Sequence, residues 1–307
     1  MQWAAFFSGQ GAQSVGMQRA LSDAFPIVRE TYQECSDAIS IDLWTLAQAG
    51  PEADLGRTEN TQPALLAAGV AAYRAWLAQG GAPANIFAGH SLGEYSALVC
   101  AGSLNLHDAA RLVRLRGTLM QAAVPEGVGA MAAVLNADLD AIESACVDAA
   151  QGEVIAPANL NAPGQIVISG HASALDRTLA LLAERGVRKA IRLPVSVPSH
   201  CALMRPAADQ LAAAIALTEI SMPRQTVLHN VSAAAALDLD GLRGALIAQL
   251  YSRVRWIETV QACAALGVQK GIECGPGKAL SGMVKRIAPE LLMGTSNTPE
   301  ELAAANA

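Results

Sequence analysis

Aromatic side chains make up only 4% of this chain and charged ones 16%, while hydrophobic residues of all kinds reach 52% of its 307 residues. An interior that is mostly Ala, Leu and Val packs helices on a sheet through aliphatic contacts, so these shortages point to one soluble α/β enzyme with ample core. No C-x-x-C pair occurs among the six cysteines, Cys35, Cys100, Cys146, Cys201, Cys263 and Cys274. That spacing argues against a zinc site or a redox motif and leaves buried free thiols as the expectation. A basic tract is missing too, and the formal net charge is −6. Nucleic acid is therefore not an expected partner, because its binding needs clustered Lys and Arg against phosphates. The start, Met1 to Phe7, lacks a basic segment followed by a long apolar run. No stretch of about 20 apolar residues runs uninterrupted, so the expected setting is the cytoplasm, without membrane contact. The G-x-G-x-x-G of a dinucleotide site also fails, since Gly9-Gln10-Gly11 would need a third glycine where Ser14 stands.

What the chain does have is an alternation of short apolar runs and helical periodicity. Residues 3–7 read as a buried strand that breaks at Gly9-Gln10-Gly11 into a helical run through Met17 and Leu21. From 62 to 79, Leu65, Leu66, Gly69, Val70 and Tyr73 share one helical face, and Gly80, Gly81 and Pro83 end it. A strand at 86–88 leads into Gly89-His90-Ser91-Leu92-Gly93 and a helix. Between about 127 and 197 the order becomes strand, helix, strand, strand, helix, strand, at 130–135, 139–150, 154–159, 165–169, 172–185 and 189–195. That is the split βαβ of a ferredoxin-like unit. Short strands at 226–230 and 268–273 are expected to rejoin the first sheet. The expectation is a larger α/β-hydrolase-like domain with a parallel sheet core, residues 1–126 and 197–307, carrying a small inserted ferredoxin-like subdomain at 127–196. Lys278, Lys285 and Arg286 form a local basic cluster, read either as a solvated helix face or as a patch for an acidic partner.

Gly89-His90-Ser91-Leu92-Gly93 is a G-x-S-x-G between strand and helix, the nucleophile elbow that lifts a serine oxygen to the mouth of a sheet. The glycines stand where a Cβ would collide with neighbouring backbone as the chain reverses. The Leu92 N–H, at the helix start, is then an oxyanion donor, and Gln10, after the first strand, offers a second. A serine needs a base, and there are five histidines. His90 is too close in the turn, His107 sits beside Asp108, and His171 ends a strand of the insert. His200, in the loop Pro198-Ser199-His200-Cys201, is preferred, with His229 left as the alternative. Asp209, Asp238 and Asp240 read as solvated, so a dyad is the simpler inference, with a backbone carbonyl free to fix the histidine tautomer. Arg116 has Leu112, Val113, Leu119 and Met120 one turn away and so lies on the apolar face of its helix, whereas Arg111 and Arg114 read as solvated. A guanidinium there needs an anion, either a protein carboxylate or a substrate carboxylate.

Together these segments resemble the malonyl-CoA:acyl-carrier-protein transacylases of bacterial fatty acid synthesis, over essentially the whole chain. The resemblance is carried by Ser8-Gly9-Gln10-Gly11-Ala12-Gln13, Gly89-His90-Ser91-Leu92-Gly93-Glu94, Arg114-Leu115-Arg116-Gly117, Ala158-Asn159-Leu160-Asn161, Pro198-Ser199-His200, Gln249-Leu250-Tyr251 and Glu273-Cys274-Gly275-Pro276-Gly277. It implies that Ser91 is acylated, that His200 is general base and acid, and that Arg116 binds the malonyl carboxylate. It further implies that Gln10 and Leu92 form the oxyanion hole and that the Gln249 carbonyl orients His200. Asn159, Asn161, Met120 and Ser199 would line the cleft. Malonyl-CoA would be a substrate and not a cofactor, acyl carrier protein the acceptor, and no metal is implied. Ser8 and Arg253 depart from positions where proline is common, and the small Ser199 leaves room beside the acyl chain. Three rivals remain. One is a malonyltransferase of polyketide synthesis or malonate decarboxylation, another an α/β-hydrolase esterase, which has no need of Arg116, and the last a non-catalytic docking subunit.

Overall fold

The computed structural model describes residues 2–195 and 197–306; the expected boundary residue 196 and the two end residues lie outside the described residues. Among the described residues nine strands form two sheets: β1 (Gln2–Phe7), β2 (Ile86–Gly89), β3 (Gly129–Leu135), β4 (Ile155–Ala162), β5 (Gln165–His171), β6 (Lys189–Arg192), β7 (Thr226–Leu228), β8 (Val268–Cys274) and β9 (Leu292–Thr295). The first sheet runs β7-β2-β1-β8-β9, with every pairing parallel. The second runs β4-β5-β3-β6, with every pairing antiparallel. In this second sheet the hairpin β4-β5 inserts one of its strands beside β3, which is the split βαβ order that the sequence pattern predicts.

Strand β1 sits at the centre of the parallel sheet, and its side chains feed two separate cores. Trp3, Ala5 and Phe7 point into one, with the helices Thr58–Ala78, Gly93–Cys100 and Leu106–Ala122. Ala4 and Phe6 point into the other, against Trp256, Val260 and Val284 of the helices Trp256–Ala265 and Ala279–Ile287. A strand covered on both faces reads as a continuous apolar run, as 3–7 does, because successive side chains alternate between two dry faces. The antiparallel sheet has its own core of Ile142, Ile168 and Leu175 under the helices Leu139–Ala150 and Ala172–Glu184. Strand β4 is tied to the segment that leads into the helix Trp256–Ala265 by backbone hydrogen bonds from Leu160 to Val254 and from Val254 back to Ala158, and the ion pair Arg253–Glu143 at 2.8 Å adds a second link.

Two details differ from the sequence reading. Strand β9 and the closing helix Pro299–Asn306 were not expected; β9 is a half-exposed edge strand of mixed composition, so it carries no alternation to read. Arg114 is only partly solvated. Pro63 lies inside the helix Thr58–Ala78 and has no N–H to give the Glu59 carbonyl one turn back; Arg114 Nη1 fills that acceptor at 3.0 Å.

Candidate active site

Parallel strands deliver their carboxyl ends to one edge of a sheet, and the loops after them converge there. Here β1 ends at Phe7 and releases Ser8-Gly9-Gln10, β2 ends at Gly89 and releases His90-Ser91, and β7 ends at Leu228 and releases His229-Asn230. Ser91 is held at φ 52°, the left-handed region, which costs a side-chain-bearing residue about 1–3 kcal/mol. The turn closes so tightly that a Cβ on Gly89 would lie 1.9 Å from the Gly93 carbonyl carbon, and one on Gly93 would lie 2.1 Å from the Phe7 oxygen. Asn230 clasps the elbow from outside. Its Oδ1 accepts the Ser91 N–H at 2.7 Å and its Nδ2 donates to the Gly89 carbonyl at 2.6 Å.

His200 Nε2 stands 2.8 Å from Ser91 Oγ, and His200 Nδ1 stands 2.8 Å from the Gln249 carbonyl. A carbonyl only accepts, so Nδ1 carries the proton and Nε2 is left bare to accept from the serine hydroxyl. Burial, then the nearby Arg116 cation, push His200 down to about 3 against the help of the Gln249 carbonyl, so the ring is neutral at neutral pH. His229 points elsewhere, with Nδ1 2.8 Å from Glu94 Oε1. His90 places Nε2 2.8 Å from Asn161 Oδ1 and packs edge-on to Trp256, which ties the elbow to the antiparallel sheet.

Arg116 is only 1% exposed and reaches the same oxygen from the other side. Its Nη2 lies 3.3 Å from Ser91 Oγ and 2.9 Å from Gln249 Oε1, and Nη1 donates to Gln62 Oε1 at 2.9 Å. Among the described residues it forms no ion pair with a carboxylate and its Nε has no hydrogen-bond partner. Gly117 permits this placement: a Cβ there would come within 2.7 Å of the backbone of Thr58 and Glu59, so only glycine lets the two helices approach until Arg116 meets Gln62. The Gln10 and Leu92 N–H groups donate to no group among the described residues, and both residues border the cavity beside Ser91.

That cavity, about 290 Å³, lies between the sheets. Ser91, His200 and Arg116 form its floor; Met120, Asn159, Asn161 and Ser199 also line it, and Met131, Val167, Leu193 and Val195 give it an apolar wall. Gln249 touches it only through the groups it holds. The basic cluster lies at its rim in part: Lys278 is exposed beside the lining residues Ala279 and Leu280, while Arg286 reaches over to Gln165 Oε1 at 2.7 Å.

Three buried polar residues of the site were passed over in the sequence. Gln62 stands at the i−3 and i−4 positions to Leu65 and Leu66, on the apolar face. Glu94 is the one charge of the helix Gly93–Cys100 and is 1% exposed. Asn230 follows the end of a core strand. A polar residue on a dry face is the signal that would have found each.

The acyl transferase domain model matches residues 6–289. This chain belongs to the acyl transferase family. It is 50% identical to the malonyl CoA-acyl carrier protein transacylase of Escherichia coli K12 over 99% of this chain and 98% of that one. The crystal structure of the malonyl-CoA:acyl carrier protein transacylase of Xanthomonas oryzae superposes with a TM-score of 0.98 at 54% identity, covering 100% and 98% of the two chains. A malonyl-transacylase solved in complex with a type II polyketide synthase acyl-carrier protein gives a TM-score of 0.97 at 47% identity, covering 100% and 99%. Among the described residues, no helix is long and apolar enough to cross a membrane.

Proposed function

We propose that this acyltransferase moves a malonyl group from malonyl-CoA to the phosphopantetheine thiol of acyl carrier protein, for fatty acid biosynthesis, through an ester on Ser91. The observation that carries the reading is a single oxygen shared by two groups: Ser91 Oγ lies 2.8 Å from a bare His200 Nε2 and 3.3 Å from the buried Arg116 guanidinium. A hydrolytic site needs the first contact, and only an anionic acyl group needs the second.

In the first half-reaction Ser91 Oγ attacks the thioester carbonyl while its proton passes to His200 Nε2. The oxyanion forms beside the Gln10 and Leu92 N–H groups, one such donor being worth about 3 kcal/mol in the transition state. The intermediate collapses, the C–S bond breaks, and coenzyme A leaves as the thiol with the proton from His200. The carrier thiol then gives its proton to His200 and attacks the malonyl ester, and Ser91 takes a proton back as the leaving group. Coenzyme A enters as part of the substrate, and the cycle assigns no cofactor.

Arg116 has two effects on this cycle. It grips the malonyl carboxylate, and that carboxylate in turn cancels the positive charge that, after burial, holds His200 low, so the imidazolium forms more easily when the right acyl group is in place. Asn161 and the apolar wall steady the far side, and the cleft limits productive water. We place the reaction in the cytoplasm, where the six free thiols stay reduced, and we take residues 127–196 as the inserted unit that closes the cleft. The test is a transfer assay with malonyl-CoA and purified carrier proteins of fatty acid and polyketide synthesis. Malonyl-carrier product is expected with the fatty acid carrier; rapid release of free malonate without carrier would point to an esterase, and no loading at all to a binding subunit.

A further inference from the structure

We propose that Glu94 is a positioning residue, the internal counter-charge of Arg116, linked to it through the side-chain amide of Gln249. The inference rests on the reading of Arg116 as the malonyl carboxylate's anchor. A buried guanidinium without an anion is costly, and Arg116 has no carboxylate at ion-pair distance among the described residues. Compensation comes from one residue further out. Arg116 Nη2 donates to Gln249 Oε1 at 2.9 Å, and Gln249 Nε2 donates to Glu94 Oε2 at 2.8 Å and to the Ser91 carbonyl at 3.0 Å. An amide has one accepting and one donating end, so it fits between a cation and an anion in one orientation only. Turned over, it would set its NH₂ against the guanidinium and its oxygen against the carboxylate.

Glu94 meets two N–H donors and one imidazole nitrogen. His229 Nδ1 lies 2.8 Å from Oε1, and the Asn230 N–H and Gln249 Nε2 donate to Oε2 at 3.0 and 2.8 Å. A carboxylate accepts from both N–H groups and from His229 in its Nδ1–H tautomer, whereas a glutamine in its place keeps the two N–H donors only by turning its NH₂ to His229, and it carries no charge to set against Arg116. Burial draws the Arg116 pKa down, while Tyr95 and Glu94 draw it back up, in keeping with a charge felt across the amide. The spacer also separates charge balance from substrate binding. A carboxylate in direct contact would form an ion pair that malonate must break; at one amide's remove it compensates the charge, and the guanidinium meets only the neutral acceptors Gln62, Gln249 and Ser91, which an anionic acyl group can outcompete.

The experiment compares malonyl-CoA and acetyl-CoA as donors for wild-type protein, Glu94→Gln and Glu94→Asp, with melting curves to establish folding. Glu94→Gln is expected to lower the malonyl-over-acetyl preference in kcat/KM at least tenfold, mostly through a higher KM for malonyl-CoA, and Glu94→Asp to restore most of it. Parallel losses for both donors, or an unchanged preference, would overturn the proposal. Should Glu94→Gln not fold, Gln249→Met, which keeps the carbonyl facing His200 and removes the amide bridge, reads the same link: a collapsed preference supports it and a retained one overturns it. A wild-type protein that loads no malonyl group would instead overturn the function on which the inference rests.

Discussion

The two sheets that enclose the cleft are built for different tasks. On the parallel side, Ser91, His200, Gln249, Asn230, Glu94 and Arg116 form one connected set of hydrogen bonds, buried except at Ser91, which is partly exposed to the cavity. On the antiparallel side the cavity meets Met131, Val167, Leu193 and Val195, with Asn161 as the cross-link to His90. A dry polar network tolerates no missing member, because each loss leaves a buried donor or acceptor unmatched. An aliphatic wall yields gradually, since its contacts are many and individually weak. Chemistry therefore resides on the rigid side, and shape on the forgiving one.

If that contrast is right, His200→Ala removes the base and lowers kcat by about a thousandfold while melting curves stay cooperative. Stopped transfer with an intact fold is the expected record. Next in size, Arg116→Ala should lower kcat/KM for malonyl transfer more than tenfold and tolerate acetyl substrates better; an unchanged malonyl-over-acetyl preference would refute the assignment. The same variant sharpens the electrostatic side of the comparison. Activity requires neutral His200, so rate falls as pH drops through its pKa, which burial and Arg116 hold at about 3. Without the cation that pKa rises, and the acid limb of the pH profile, read with acetyl-CoA, moves to higher pH. The smallest effect belongs to the other wall: Leu193→Ala should change malonyl kcat/KM by less than about fivefold and cost roughly 1 kcal/mol or less of stability, because the side chain is only half buried.

The sequence was readable where one local rule governs. The elbow is legible because a serine at φ 52° between a strand and a helix needs glycines on both sides, and the six elements of the insert because each keeps its own periodicity. Arg116 was legible as a charge on an apolar stripe. The choice between His200 and His229 was not decided by any local pattern. Both follow or precede core elements in tight loops, and only the tertiary fold places one ring on Ser91 and the other on Glu94. Glu94 was hidden for the same reason: its partners lie 135 to 155 residues away in the chain, so no spacing in the sequence marks it as their acceptor. The half-buried setting of Arg114 was not legible because its acceptors, the Glu59 carbonyl freed by Pro63 and Asn60 Oδ1, lie on a different element.

The measurement that bears most directly on the account is peptide mapping by mass spectrometry after incubation with malonyl-CoA and no carrier protein. One malonyl group per chain, on the peptide containing Ser91 and absent from Ser91→Ala, is the predicted result. A malonyl group found stably on any other residue, or on Ser91→Ala to the same extent, would contradict it.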